Sequence, residues 1–204
     1  MVHLFIDKRP LRGCNENANY YFCAMINAAI FASGEGTNAE NLFTHFANDP
    51  RIKIKLVVTN RDDAGVVARA EKHKKNVQIV SKAALENYTG QLIEFLKVEK
   101  IDLIILAGFL LKMPEAFIRA FPNKIINLHP ALLPKFGGKG MYGAHVHKAV
   151  LASGETESGI TVHYVNEEYD KGNIILQARC PVSPQDTPDS LAKKIQQLEF
   201  EHLP

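Results

Sequence analysis

The sequence predicts an α/β fold, a single Rossmann-like, doubly wound domain with a mostly parallel sheet and an antiparallel C-terminal strand pair. From residue 25 onward, short apolar runs alternate with helical patterns, which is typical of βαβ units. The runs LIIL (103–106) and IINL (125–128) are nearly free of polar residues, as expected for strands buried on both faces of a parallel sheet. A length of 204 residues with 46% hydrophobic content suits one domain with a substantial core.

The chain up to residue 128 supplies the parallel part of the sheet. Short runs rich in apolar and β-branched residues predict five strands, at 26–31, 52–59, 77–80, 103–106 and 125–128. Apolar residues at helical spacing predict four connecting helices, at 39–47, 66–73, 85–99 and 114–121. Because ligands of such sheets bind beyond the carboxyl ends of the strands, we expect the loops after Phe31, Leu106 and Leu128 to share one rim.

The pattern changes after residue 128. Segment 136–143 (FGGKGMYG) contains four glycines, which predicts a loop that is flexible or that approaches other backbone closely. A helix is predicted at about 144–153, followed by two strands at 160–165 and 174–178 that pair in antiparallel fashion. Pro188 lies in the first turn of a final amphipathic helix that runs towards Glu199.

Composition argues against several classes of partner. The formal net charge of +2 and the scattered Lys and Arg residues give no indication of nucleic-acid binding. No apolar run approaches the roughly 18–20 residues needed to span a membrane. Cys14, Cys23 and Cys180 lack disulfide or metal-site spacing, and the histidines form no HxxxH or HExxH motif, so no metal is expected. We expect a cytoplasmic protein, whose oligomeric state the sequence leaves open.

The first 24 residues differ from the rest of the chain. They show neither helical nor strand period, and they lack the apolar core and cleavage site of a signal peptide. We interpret them as a disordered or non-native extension, with Met25 as the natural start. Residues 25–204 then form the single domain.

The most informative segment is 126–135 (INLHPALLPK). Side chains two positions apart on a strand point to the same face, so Asn127 and His129 leave the carboxyl end of the fifth strand side by side. Pro130 and Pro134 cannot continue a sheet ladder and are expected to hold the loop that follows. An amide and an imidazole aimed at one point predict a pair of catalytic groups.

Other polar residues are open to two interpretations. His163 lies inside a predicted strand, while His145 and His147 flank a helix start, and we expect these three to be structural. Asp170, within YDKG (169–172), suits an ordinary solvated turn. From the sequence alone the turn is the preferred interpretation, and the alternative is a carboxylate that pairs with His129, favours the protonated imidazole and orders a water.

Two loops on the predicted rim carry further indications. SGEGTN (33–38) follows the first strand and opens a helix, so its backbone N–H groups suit an anion, with Thr37 or Asn38 capping the helix and touching a phosphate. It is neither GxGxxG nor a Walker A motif, and a plain tight turn is the alternative. Segment 107–114 (AGFLLKMP) is unusually apolar, so it either lines a pocket for a flat aromatic ligand or packs beneath the next helix.

In this order, the motifs resemble those of the phosphoribosylglycinamide formyltransferases, folate-dependent enzymes of purine synthesis. The combination of NLHPALLP and YDKG is specific to folate formyltransferases, and the likeness covers nearly all of residues 25–204. The matching segments are SGEGTN (33–38), AGFLLKM (107–113), INLHPALLPKFGG (126–138), GITVHYVNEEYDKG (159–172) and ILQARCPV (175–182).

The resemblance implies a reaction and a set of site residues. A formyl group would move from 10-formyltetrahydrofolate to the amine of glycinamide ribonucleotide without a metal, with Asn127, His129 and Asp170 as the catalytic residues. The residues implied to bind the ribonucleotide are Gly36, Thr37, Asn38, Gln196 and Glu199. The residues implied to bind the folate are Leu110, Leu111, Lys112, Met113, Asn127, Val165, Asn166 and Asp170.

The chain departs from the family pattern at several points. Leu111 stands where Arg is usual, Lys82 is a weak match to the expected basic folate-tail residue, and GKGMYGAH (138–145) lengthens a loop. The family continues into a helical tail beyond the position of Pro204, so we expect a C-terminal truncation.

Three alternatives remain open at this stage. Methionyl-tRNA formyltransferase would need an RNA-contacting C-terminal domain, and formyltetrahydrofolate deformylase an N-terminal regulatory domain. The third alternative is a binding module without catalysis.

Overall fold

The computed structural model describes residues 25–204, so the expectations for residues 1–24 concern a part of the chain outside it. The strands are β1 (Ile26–Phe31), β2 (Ile52–Thr59), β3 (Asn76–Ile79), β4 (Leu103–Leu106), β5 (Ile125–His129), β6 (Glu157–Tyr164) and β7 (Ile174–Pro181). The helices are α1 (Thr37–His45), α2 (Gly65–Lys72), α3 (Lys82–Asn87), α4 (Thr89–Val98), α5 (Glu115–Ala120), α6 (Ala144–Ala152) and α7 (Pro188–His202).

The strands of the described residues form one seven-stranded sheet in the order β3-β2-β1-β4-β5-β6-β7. The pairings among β1 to β5 are parallel, whereas β6 and β7 add antiparallel pairs. The predicted fold class is therefore confirmed, including the antiparallel C-terminal pair. The order reverses direction between β1 and β4, which is where ligands of doubly wound sheets bind.

One predicted helix is wrong. The segment expected as a single helix at 85–99 forms two helices, α3 and α4, with a break at Tyr88, whose φ of −120° and ψ of 28° are not helical. The Thr89 hydroxyl donates to the Leu85 carbonyl, which offers the backbone an alternative to a continuous helix. Helix α3 begins earlier than expected because the Ser81 side chain accepts a hydrogen bond from Ala84 N–H and caps it.

The last two strands are longer than predicted, because β6 begins at Glu157 and β7 ends at Pro181. Gly159 permits this close pairing. A Cβ atom there would lie 2.0 Å from the Ala178 carbonyl oxygen and 2.7 Å from Leu132 Cδ2. Glycine at this position lets β7 and the segment around Leu132 both approach the strand.

Helices cover both faces of the central sheet. On one face α4 and α5 pack through residues such as Leu96 and Phe117, and on the other α1 and α2 pack through Leu42 and Val66. Helices α6 and α7 cover β5 to β7 through a separate apolar cluster. Among residues 25–204, no helix combines the length and apolar character needed to cross a bilayer.

The opposite face of β5 and β6 is covered by a segment without regular structure. We call residues 130–136, which follow β5, the exit loop. Leu133 N–H in this loop donates to the Thr161 hydroxyl of β6 over 3.0 Å. Asn127 and His129 lie on this same face, because they alternate with the core residue Leu128. The exit loop therefore forms part of the surroundings of the predicted catalytic pair.

Candidate active site

A cavity of about 750 Å³ lies beyond the carboxyl ends of β1, β4 and β5. The segments that line it come from the loop after β1, the loop after β4, the end of β5, the loop before α6, the β6–β7 connection and helix α7. The predicted site residues that line it are Gly36, Thr37, Asn38, Leu110, Leu111, Lys112, Met113, Asn127, His129, Val165, Asn166, Asp170 and Glu199. Gln196, which is half-buried, is not among the lining residues.

The side chain of His129 is buried, and both of its ring nitrogens face a partner. Nε2 lies 2.8 Å from the Phe136 carbonyl oxygen, which can only accept, so Nε2 carries the hydrogen. Nδ1 lies 3.7 Å from Asp170 Oδ2, a separation longer than a direct hydrogen bond. Neutral His129 therefore presents the Nδ1 lone pair towards Asp170, and protonation at Nδ1 produces an ion pair.

The Asp170 side chain points into the site and is not part of an ordinary solvated turn. Its Oδ2 accepts a hydrogen bond of 2.8 Å from Gly138 N–H, and its Oδ1 lies 3.4 Å from Asn127 Nδ2. Its own backbone has a φ of +54°, a left-handed conformation that Asp tolerates better than most residues. The carboxylate thus connects the end of β5 to the glycine-rich loop before α6.

Burial and neighbouring groups act in opposite directions on the pKa values of His129 and Asp170. Burial lowers the pKa of His129 below its ordinary value of 6.5, and this outweighs the raising effects of the Asp170 charge and the Phe136 carbonyl. Burial alone would raise the pKa of Asp170, but the nearby His163 imidazole, the hydrogen bond from Gly138 N–H and the nearby His129 imidazole hold it below 3.8. Asp170 favours protonated His129, as expected, although the net shift of the histidine pKa is downward.

His163 belongs to the site, although its sequence context indicated only a structural role. It lies opposite Asn127 in the antiparallel β5–β6 register, and its Nε2 lies 3.1 Å from Asn127 Nδ2 and 3.6 Å from Asp170 Oδ1. Its Nδ1 lies 2.8 Å from the Tyr164 carbonyl and so carries the hydrogen, which leaves Nε2 to accept from the Asn127 amide. The antiparallel register is the signal that places His163 beside Asn127.

The loop after β1 turns at Gly36. Gly36 has a φ of +74° and is the N-cap of α1, and it has no side chain to occupy the helix N-terminus. The expectation that Thr37 or Asn38 caps the helix is therefore wrong. A helix end that lacks a side-chain cap leaves backbone N–H groups for an anion at the cavity.

Asn38 joins the first helix to the last. Its Nδ2 donates to Glu199 Oε2 over 2.9 Å, whereas its buried Oδ1 has no hydrogen-bond partner in the structure. Burial raises the pKa of Glu199 above its ordinary value of 4.5, against the lowering effect of the bond from Asn38. A polar oxygen that is buried without a partner beside a cavity is a position where a ligand donor fits.

The apolar loop after β4 lines the cavity and does not merely pack beneath α5. Ser33 connects it to the loop after β1, because its hydroxyl accepts from Leu110 N–H over 2.9 Å and its N–H donates to the Gly108 carbonyl over 3.0 Å. Met113 is buried, while the Lys112 ammonium lies 5.5 Å from the centre of the Tyr169 ring. Lys82 is exposed at the start of α3, 3.8 Å from Glu86, and does not line the cavity.

A metal site is not formed by the described residues. In residues 25–204, no three His, Cys, Asp or Glu side chains come close enough together to hold a metal ion. The two histidines and the aspartate of the site are instead connected through Asn127 and backbone groups. That the reaction needs no metal remains a prediction.

Comparisons with known proteins identify the family. The family model described as formyl transferase matches residues 26–204. The phosphoribosylglycinamide formyltransferase of Haemophilus influenzae is 34% identical over 188 residues, which are 88% of this chain and 84% of that protein. A chloroplastic phosphoribosylglycinamide formyltransferase of Arabidopsis thaliana is 42% identical over 180 residues, which are 85% of this chain and 61% of that protein.

The similar solved structures belong to the same kind of enzyme as the sequence relatives. The phosphoribosylglycinamide formyltransferase of Anaplasma phagocytophilum superposes with a TM-score of 0.80 at 32% identity, over 88% of this chain and 84% of that one.

The chain spans only about three fifths of the length of the plant relatives, 61% and 56% for Arabidopsis thaliana and Vigna unguiculata. Both plant relatives carry chloroplastic names, so a cytoplasmic location remains a prediction. The chain belongs to the formyl transferase family.

Proposed function

We propose that the protein transfers the formyl group of 10-formyltetrahydrofolate to the amine of glycinamide ribonucleotide, a step of purine synthesis. The observation that carries this proposal is that Asn127, His129 and Asp170 meet at one cavity, between an apolar wall and an uncapped helix N-terminus. The apolar wall suits a flat pterin, and the helix end suits a phosphate. The relatives named above carry this activity in their names.

In the proposed orientation, the ribonucleotide phosphate lies against the N–H groups of Gly36, Thr37 and Asn38. Glu199 faces the same part of the cavity and accepts from Asn38, so its carboxylate suits the sugar hydroxyls or the glycinamide end of the substrate. The folate lies along the segment from Leu110 to Met113 and the β6–β7 connection. The formyl carbon then lies close to His129.

The chemistry needs charge stabilisation and one proton transfer. The amine nitrogen attacks the formyl carbon, and an oxyanion develops on the tetrahedral intermediate. Protonated His129 and the Asn127 amide stabilise that charge, and each donor contributes roughly 3–4 kcal/mol if it acts as an oxyanion-hole donor does. The contact from Asn127 to Asp170 is long, at 3.4 Å, so this amide hydrogen is free to turn to the oxyanion.

Asp170 completes the proposed reaction. Its carboxylate holds a water that takes the proton from the attacking amine and delivers it to the departing folate nitrogen as the carbon–nitrogen bond breaks. Proton transfer of this kind contributes about 10²–10⁴-fold to the rate. The products are the formylated amine, which is now a formamide, and tetrahydrofolate, and no net proton is consumed.

The test is formyl transfer with the purified chain, a 10-formylfolate donor and glycinamide ribonucleotide, followed by the absorbance of the deformylated folate. Release that depends strictly on the ribonucleotide supports the transferase. Release without it indicates a deformylase. Binding of both ligands without release would indicate a module that binds them without catalysis.

A further inference from the structure

The Thr161 hydroxyl makes the maximum number of hydrogen bonds available to it. Thr161 is fully buried on β6, directly opposite His129 in the antiparallel register. Its Oγ1 donates to the Ala131 carbonyl over 2.7 Å and accepts from Leu133 N–H and from Gln177 Nε2, each over 3.0 Å. Since a hydroxyl has one hydrogen and two lone pairs, this geometry admits no other partner.

Gln177 adds a second hydrogen bond to the same loop. It lies opposite Thr161 on β7, where its Nε2 donates to the Leu133 carbonyl over 2.9 Å as well as to the Thr161 hydroxyl. Leu133 is therefore held at its N–H by Thr161 and at its carbonyl by Gln177. Two side chains from the antiparallel extension thus fix the middle of the exit loop.

The exit loop in turn orients the histidine. Phe136, at the end of that loop, supplies the carbonyl that accepts from His129 Nε2 over 2.8 Å. Gly137, the next residue, packs closely against both Leu133 and Asp170. A Cβ atom at this position would lie 2.6 Å from Leu133 Cδ2 and 3.2 Å from Asp170 Cβ. The position of Leu133 is thereby coupled to the two groups that flank the imidazole.

We propose that Gln177 and Thr161 are positioning residues that hold the exit loop so that His129 keeps its hydrogen on Nε2 and directs Nδ1 towards Asp170. Neither residue touches the cavity, and both act through the Phe136 carbonyl. The effect on turnover rests on the proposed function, whereas the effect on the histidine tautomer does not.

Each of the two positioning residues has a matched control variant. Gln177→Met removes the amide donor at similar volume, and Arg179→Met is its control, since Arg179 follows on the same face of β7 but pairs with Glu157 over 3.2 Å. Thr161→Val removes the hydroxyl, and Thr161→Ser retains it. If Thr161→Val does not fold, the half-buried Gln177 position still decides the question.

The first measurement determines the tautomer of His129 by nitrogen-15 NMR at about pH 8, where imidazoles are neutral. The His129 resonance is assigned as the one that is missing from the spectrum of His129→Gln. Wild type, Thr161→Ser and Arg179→Met are expected to hold the Nε2–H form. Thr161→Val and Gln177→Met are expected to show a mixture of both tautomers. An unchanged tautomer in folded Gln177→Met overturns the proposal.

The second measurement is the steady-state kinetics of formyl transfer by the same variants. Turnover by Gln177→Met is expected to fall roughly 10- to 100-fold with a smaller change in KM, because displaced reacting groups reduce the rate of the chemical step. A loss shared equally by Arg179→Met would contradict the proposal. If wild type shows no transfer, the proposed function fails, while the tautomer comparison still decides the positioning role.

Discussion

Asn127 and His163 face each other across the antiparallel β5–β6 pair, with 3.1 Å between Asn127 Nδ2 and His163 Nε2. The Tyr164 carbonyl accepts from the other ring nitrogen and thereby makes Nε2 an acceptor. The imidazole therefore determines which end of the amide points to it, and so where the second amide hydrogen is directed. A histidine that touches no substrate in the proposed reaction can still control the donor that does.

His163→Leu is expected to lower turnover by up to about tenfold, the equivalent of one net hydrogen bond. The amide of Asn127 would lose its fixed orientation, whereas the cavity wall that holds the ligands would remain. Steady-state kinetics provide the measurement, with His45→Gln on the exposed face of α1 as the control. Equal turnover in His163→Leu and wild type would show that the amide is oriented without the imidazole.

Asp170→Asn is expected to lower turnover by about 10²–10³-fold, and His129→Ala by a similar factor, with much smaller effects on substrate affinity. Because the Asp170 charge raises the pKa of His129 against the effect of burial, its removal should lower that pKa further. Kinetics and an NMR titration of the His129 ring provide the two measurements. Near-normal turnover in either variant would refute the catalytic assignment.

Gly36→Ala is expected to destabilise the fold by roughly 1–3 kcal/mol. Its φ of +74° disfavours a side chain, and a Cβ atom would lie 2.5 Å from Val66 Cβ. Gly34→Ala is the matched control in the same loop, since a Cβ atom there has no heavy atom within 4 Å. Denaturant unfolding of both variants tests this expectation, and equal stability would mean that α1 can shift without cost.

Glu199→Gln is expected to stabilise the free protein and weaken ribonucleotide binding. Burial raises the pKa of Glu199 in the folded state, so above its ordinary value of 4.5 the ionised form favours unfolding. The gain in melting temperature should be present at neutral pH and vanish as pH falls towards 4.5. Glutamine retains an oxygen for the bond from Asn38, so weaker binding would reflect the lost charge. A gain that persists in acid would contradict this account.

His147→Leu is expected to make stability less sensitive to acid. Burial lowers the pKa of His147 below 6.5, and its Nδ1 has no hydrogen-bond partner in the structure. The unfolded chain therefore binds a proton that the folded chain does not, and wild type loses stability as pH falls below 6.5. Melting temperatures at about pH 7.5 and pH 5.5 provide the measurement. A variant that loses as much stability as wild type between these values would exclude His147 as a source of the effect.

Local pattern was sufficient to predict much of this architecture. The strands at 26–31, 52–59 and 103–106 have the bounds expected from their runs of apolar and β-branched residues. The convergence of Asn127 and His129 follows from the alternation of side chains along a strand. Both features depend only on residues close together in the chain.

What sequence pattern did not predict depends on contacts between distant segments. His163 reaches Asn127 through the register of two antiparallel strands, and Asn38 meets Glu199 across 161 residues. The break at Tyr88 divides a segment whose apolar spacing suits one helix, so the pattern alone does not show it. In each case the deciding interaction joins groups that no short window of sequence contains.

The bond between Asn38 and Glu199 has a consequence for the order of folding. The parallel core from β1 to β5 can form as soon as its own residues have been synthesised, but this bond must wait until α7 exists and has docked. Closing so long a loop is an entropic cost that the earlier core must already have offset. If the proposed function holds, the ability to bind the ribonucleotide is therefore the last property the chain acquires, because a nascent chain without its final helix would have only its parallel core and not the Glu199 side of the cavity.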